Sequence, residues 1–329
     1  MSRLRDQYRS ELSFVTKLSP AGVDFALDHA LETDPSQAEL DALIDGATEA
    51  SRVVVVLSSN VFTASLRAIA LAKAAAAKVI VKPSRREPMF VRLLAEYASD
   101  PDVEIVKEID IRSIEHGELH AYGSDATLQT IAAQVPNGAV LRAHGTGFGV
   151  ACIDATAPLD EAAEALSRDV VLFDQSGCLS PRIAFVVGDS ERAEAFGRSV
   201  YEALNGWATR VPRGAVDEQT LMEVRGYADS MRMVGAVLEA KDHVVAIWDR
   251  VRLPPAARVV HIVPLRGPEL LDAALGKLAP FVTTVGAYGA PLEMRWLSRG
   301  RRAAVLGMMQ SPPLDGPVDP RVWPPSTVT

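Results

Sequence analysis

In residues 52–57 (RVVVVL) the four consecutive valines are β-branched and apolar, with no polar face to leave in water. Such a run predicts a central parallel strand covered on both sides. An Ala/Leu-rich helical stretch follows at 62–77, and residues 78–82 (KVIVK) repeat the buried-strand pattern. Strand, helix and strand in this order form a βαβ unit, whose crossover is right-handed. The pattern continues with a helix at 86–99, an extended run at 103–111, and a helix that Gly123-Ser124-Asp125 opens and Gln134 ends. Strands at 139–142 and 150–153 flank the glycine-rich turn His144-Gly145-Thr146-Gly147-Phe148-Gly149, and a helix follows at 159–166. At 170–188 the sequence VVLFDQSGCLSPRIAFVVG predicts two strands around a tight turn. Helices at 190–204, 218–239 and 269–278 then alternate with strands at 244–248, 259–264 and 281–288. Residues 1–50 read as helical, and the proline-rich, acidic tail from Gln310 reads as an extended arm. Alternating strands and helices predict an α/β fold. We place the domain boundary at the change of pattern near 167, giving 1–166 and 167–299, with an arm from about 300 to 329 packing back on the first.

Composition narrows the class without naming a function. Hydrophobic residues make up 48% and charged residues 23%, ordinary for a globular enzyme-like chain, and the net charge of −8 argues against a nucleic-acid partner. Cys152 and Cys178 cannot form a disulfide framework, and no Cys/His group has zinc spacing, so no metal site is predicted. Because the N-terminus lacks an apolar signal region and no apolar run is long enough to span a bilayer, the chain reads as cytoplasmic with no membrane insertion. The segment Glu115-His116-Gly117-Glu118-Leu119-His120 carries two histidines four apart but lacks metal-site order, so it is expected to be solvated surface.

Two constellations carry candidate chemistry. The first is Leu57-Ser58-Ser59-Asn60 after one strand and Val81-Lys82-Pro83-Ser84 after the next. A strand that ends in small polar residues and feeds a helix offers backbone N–H groups to a phosphate, and Lys82 adds an amine. The GxGxxG fingerprint is absent. The second is Phe173-Asp174-Gln175-Ser176-Gly177-Cys178-Leu179-Ser180-Pro181-Arg182. A cysteine among small, polar, turn-forming neighbours can be ringed by backbone donors, which stabilise a thiolate and an oxyanion. Cys152, within an apolar strand, reads as an inert core residue.

Together and in this order, from about Val53 to Asp189, these pieces resemble the aldehyde dehydrogenase superfamily. The resemblance implies a parallel Rossmann-type cofactor domain followed by an α/β catalytic domain. It makes Cys178 the nucleophile on a Gln175-to-Arg182 turn and gives Asn60 a share in holding the oxyanion. Lys82 and Ser84 fall at the adenosine ribose, and Gly123 and Ser124 fall under the pyrophosphate; Ser58, at the strand end that offers N–H groups to a phosphate, is a further cofactor-binding candidate.

Departures from the family pattern suggest a direction. The family's water-activating Glu is replaced by His144, 34 positions before Cys178, and its later Glu-x-Phe-Gly-Pro segment has no match. His144 is either an acid/base or a structural turn residue. Loss of water activation suits a reductive branch that takes thioesters. The Asp174-to-Pro181 core and the Leu306-to-Gly316 segment resemble the luminescence-type (LuxC-like) fatty acyl-CoA reductases, for which this chain is short. Arg85 stands where the family has a ribose-gripping Glu, and a guanidinium there favours the 2′-phosphate of NADPH. The expectation is therefore an NADPH-dependent acyl-CoA reductase, with a homo-oligomer left open. An aldehyde-oxidising enzyme, an acyl-phosphate reductase resembling glutamyl-phosphate reductase, and an inactive scaffold are the alternatives.

Overall fold

The structure is a computed structural model that describes residues 2–289 and 300–324. The last part of the expected catalytic segment, 290–299, and the end of the arm, 325–329, lie outside the described residues. The chain forms two compact units. The first takes residues up to Thr16, Ala30–Thr146 and Pro313 onward; the second takes Lys17–His29 and Gly147–Pro312.

The first unit contains α1 (Ser2–Thr16), while α2 (Pro20–His29) belongs to the second. After α3 (Gln37–Asp45) come β1 (Val53–Val56), α4 (Ala64–Ala75), β2 (Val79–Lys82), α5 (Met89–Ala98), β3 (Val103–Ile105), β4 (Gly117–Tyr122), α6 (Asp125–Ala132) and β5 (Ala139–His144). The five strands pair in parallel in the order β3-β2-β1-β4-β5. One face of β1 and β2 packs Val53, Val55, Val79 and Val81 on the alanines of α4. The other face sets Val54, Leu119 and Ala121 against Leu128 and Ile131 of α6. That two-sided cover is why the RVVVVL run has no polar alternation.

Segment 115–120 is solvated surface only at its start: Glu115 and His116 are exposed, whereas Glu118, Leu119 and His120 are buried. Glu118 and His120 lie on β4 and are each 5% exposed. The Glu118 carboxylate is satisfied from three sides, by the Arg142 guanidinium (2.7 and 2.8 Å), the Thr48 hydroxyl (2.7 Å) and the His120 ring (2.8 Å). Burial alone would raise its pKa; these partners outweigh burial and hold it at about 2. Because the folded value is depressed, this stabilisation is present above the unfolded pKa and is lost as pH falls through the folded one. Glu118→Gln is therefore expected to cost about 3 kcal/mol at neutral pH and to flatten the acid limb of stability below about pH 4.5. Urea denaturation of both proteins across that range is the check.

The arm from Pro313 is pinned to this unit by Arg67, which is 2% exposed. Its guanidinium donates to the main-chain oxygens of Gly316 (2.6 Å) and Pro313 (2.8 Å) and to Glu32 (2.7 Å).

The second unit holds β6 (Phe148–Ile153), α7 (Leu159–Val171), β7 (Pro181–Val187), α8 (Ser190–Arg210), α9 (Glu218–Arg232), β8 (Ala236–Glu239), β9 (Val244–Ile247), β10 (Val259–Leu265), α10 (Leu271–Leu275), β11 (Val282–Tyr288) and β12 (Arg302–Val305). Its sheet runs β12-β11-β6-β7-β10-β9-β8, with only the β8–β9 pair antiparallel. The division of the chain thus falls after Thr146 and not near 167. All six residues of β6 are buried, and β6 pairs with β7 and β11, so the glycine turn separates two sheets and does not join two strands of one. Residues 300–312 likewise stay with the second unit, through β12. The helix expected at 218–239 stops at Arg232, because β8 pairs so closely with β9 that a Cβ on Gly235 would lie 2.2 Å from the Ile247 oxygen. No helix among the described residues is long and apolar enough to cross a membrane.

Candidate functional site

In the first sheet the strand order reverses between β1 and β4, and ligands of such sheets bind beyond the carboxyl ends of the strands at that point. The loop that carries Ser58 and Asn60 leaves the end of β1, and both residues are exposed. Gly123 and Ser124 leave the end of β4, Lys82 ends β2, and His144 ends β5. The sequence-predicted cofactor residues therefore share one edge of one sheet. Ser124 caps α6 by accepting from the Thr127 N–H, so the helix presents an ordered N-terminus there. Lys82 is half-buried, and its ammonium lies 3.4 Å from the Pro83 oxygen. Ser84 accepts from the Arg86 N–H at 3.2 Å. Arg85 is exposed and pairs with Glu108 at 2.9 Å, an interaction worth about 0–1 kcal/mol in water and easily exchanged. This donor set suits a dinucleotide: backbone N–H groups for the diphosphate and two cations beside the second strand.

The glycine turn is tied to this edge. The Gly123 N–H donates to the His144 oxygen (3.2 Å), while Asp125 accepts from the Thr146 N–H and the Trp323 indole, each at 3.1 Å. Gly145 is required here, since a Cβ would lie 2.3 Å from the Asp125 carboxylate and 2.7 Å from Trp323. The His144 ring stacks on Tyr122 (4.4 Å between centroids, 12° between planes) and bonds to the main chain of Asp319. Burial drives its pKa down to about 4, against the opposing pull of Asp319, so the imidazole is neutral at physiological pH. Below it, a cavity of about 350 Å³ runs past His120 and Arg142 to Thr48, walled by Asp315–Trp323 of the arm.

The nucleophile candidate lies in the second unit. The apolar run at 170–173 is not a strand: Val170 and Val171 end α7, and a 3₁₀ turn covers Leu172–Gln175. A short buried apolar run carries no period that separates the two outcomes. Phe173 (φ 55°), Asp174 (φ 49°) and Gln175 (φ 68°) are consecutive left-handed residues, which for side chains with a Cβ costs about 1–2 kcal/mol each. The chain then turns through Ser176–Ser180 into β7, which places half-buried Cys178 at the amino end of that strand. The Thr283 hydroxyl bonds to the Cys178 oxygen, and Gln310 donates to the Ser180 hydroxyl at 2.7 Å. Asp169 anchors the segment bearing Gln310, accepting from the N–H groups of Gly307 (2.6 Å) and Met309 (3.0 Å). Cys152, by contrast, sits inside β6, and burial pushes its thiol up to about 12. Arg182 is a half-buried guanidinium whose pKa burial lowers to about 10.

Sequence reasoning missed Tyr122, Asp125, Asp319 and Trp323 around the glycine turn, and Arg258 behind the cysteine loop. Asp125 had a local signal, an acid at the first position of a helix opened by Gly-Ser. Tyr122, directly before Gly123, had no signal of its own, and Asp319, Trp323 and Arg258 come from distant segments.

Solved structures with this architecture are similar at low identity. A NAD-dependent benzaldehyde dehydrogenase from Corynebacterium glutamicum matches with TM-score 0.65 and 14% identity, over 92% of this chain and 78% of that one. A Mycobacterium tuberculosis aldehyde dehydrogenase complexed with NAD+ gives 0.64 and 14%, over 92% and 74%. A putative methylmalonate-semialdehyde dehydrogenase from Sinorhizobium meliloti, complexed with NAD, gives 0.62 and 15%, over 80% and 62%. These likenesses define the fold as that of the aldehyde dehydrogenases. A comparison with curated proteins finds no match. Residues 27–286 match the acyl-CoA reductase (LuxC) family, and the chain belongs to that family.

Proposed function

We propose that this protein reduces an acyl-CoA thioester to the aldehyde with NADPH, by way of a thioester formed on Cys178. The observation that carries this reading is the contrast between its two cysteines. One lies in the core with its thiol near 12, and the other is half-exposed on a loop of small polar residues behind a strained turn. The Cys178 sulfur attacks the acyl carbonyl, a backbone N–H of the loop supports the oxyanion, and coenzyme A thiolate leaves. Family resemblance gives Asn60 the second oxyanion contact. The dinucleotide, when bound, supplies the hydride. Ser58, Gly123, Ser124 and the start of α6 hold its diphosphate, and Lys82, Ser84 and Arg85 its adenosine end. Two thiols with no disulfide between them suit a reducing, cytoplasmic setting.

NADPH consumption measured across short, medium and long acyl-CoAs tests the reading, and no turnover with any thioester would overturn it. Preference for NADPH rests on Arg85. Arg85→Glu is expected to weaken NADPH binding about tenfold while leaving NADH nearly unchanged, because a phosphate partner becomes a repelling charge. Dissociation constants for both cofactors before and after the change decide this, and equal wild-type affinities would remove Arg85 from the argument.

A further inference from the structure

We infer that Arg258 is a positioning residue for the nucleophile: through Asp174 it holds the left-handed turn that presents Cys178. The inference rests on the proposed role of Cys178.

Three consecutive left-handed residues do not persist without outside partners. Here both carboxylate oxygens of Asp174 are engaged. One accepts from the Arg258 Nε at 2.8 Å and pairs with its terminal nitrogen at 2.7 Å, and the other accepts from the Gly214 N–H at 2.9 Å. Arg258 is 1% exposed and also donates to the Val211 oxygen at 2.9 Å. It stands on a left-handed turn of its own (φ 59°, after Ala257 at φ 127°) leading into β10. The next residue, Val259, takes hold of Gln175. The Gln175 amide donates to the Val259 and Pro181 oxygens (both 2.8 Å) and accepts from the Val259 N–H at 2.9 Å. Positions 258 and 259 thus grip 174 and 175, and Gln175 in turn grips Pro181. The two ends of the loop 176–180 are fixed against each other, with Cys178 at its centre.

A buried ion pair is a poor way to gain stability, since apolar residues of similar size often replace one at no cost. What the pair supplies is direction: the Arg258 Nε hydrogen bond fixes one oxygen of Asp174 while the Gly214 N–H fixes the other, which leaves the carboxylate one orientation. Displacement of a reacting group by about 1 Å is enough to slow catalysis about 100-fold.

The test compares Arg258→Lys, Arg258→Met and the double variant Asp174→Leu/Arg258→Met with wild type and with Cys178→Ala. The double variant is included because removing one partner alone can prevent folding. Thermal melting, kcat and KM for acyl-CoA, and the pH profile of iodoacetamide alkylation are measured on the full chain. Arg258→Met and the double variant are expected to lose about 100-fold in kcat with KM within about threefold, and to shift the alkylation midpoint. Arg258→Lys is expected to recover part of the loss, since an ammonium reaches the carboxylate without the planar guanidinium. A double variant that melts at the wild-type temperature and keeps wild-type kcat and alkylation would overturn the inference while Cys178→Ala is inactive. Turnover surviving in Cys178→Ala would instead overturn the nucleophile assignment itself.

Discussion

Cys178→Ala is expected to reduce acyl-CoA turnover by about 10⁴-fold or more, because removal of a covalent nucleophile leaves no second route to the acyl-enzyme. Folding should survive. The residue is half-buried on a loop that Gln175 holds through the Pro181 oxygen, Thr283 through the Cys178 main-chain oxygen and Gln310 through the Ser180 hydroxyl. Dinucleotide binding should survive as well, since Lys82, Ser124 and the start of α6 belong to the other unit. Cys152→Ala gives the opposite pattern. That side chain packs among Phe148, Val150 and Phe185, so its loss should cost about 1 kcal/mol of stability and leave kcat near wild type. Mass-spectrometric mapping of the iodoacetamide adduct completes the comparison: label is expected on Cys178 and not on Cys152, whose thiol is held near 12. An inactive Cys152→Ala beside an active Cys178→Ala would exchange the two roles.

How much of this was legible beforehand depended on where each residue's partners lie. The strands of the first sheet were legible because RVVVVL and KVIVK are covered on both faces, and two-sided cover leaves a local signature. Ser58, Lys82 and Ser84 were placed at one edge because each follows a recognisable strand, while Gly123 and Ser124 were legible from the helix they open and not from β4, which the sequence had left as surface. The boundary after Thr146 was not legible. Strand β6 looks like a continuation of the first sheet until it pairs with β11, more than a hundred residues later. Glu118 and His120 looked like surface because charge usually is. They are buried because Arg142 comes from the neighbouring strand and Thr48 from well upstream. Arg258 had no local signal at all. It is one arginine in a proline-rich loop, and only the fold brings it to Asp174.

His144→Glu is expected to turn part of the reductase into a hydrolase. This expectation rests on the family resemblance, which sets position 144 against the water-activating Glu, and the native imidazole is poorly suited to that work. With its pKa near 4, bonded to the Asp319 main chain and stacked on Tyr122, it is neutral at working pH and a weak base. A carboxylate at the same place would face both burial and Asp319, and each raises its pKa toward the range in which a general base works best. Acid released from acyl-CoA without cofactor oxidation should therefore rise by about 100-fold, at the expense of aldehyde. His144→Ala separates the roles of the native residue. Reductase activity within about threefold of wild type, with an unchanged pH profile, is expected of a turn residue held by stacking. A pH limb near 4 that disappears in His144→Ala, accompanied by wild-type release of acid from aldehyde, would make the imidazole the base and reverse the proposed direction.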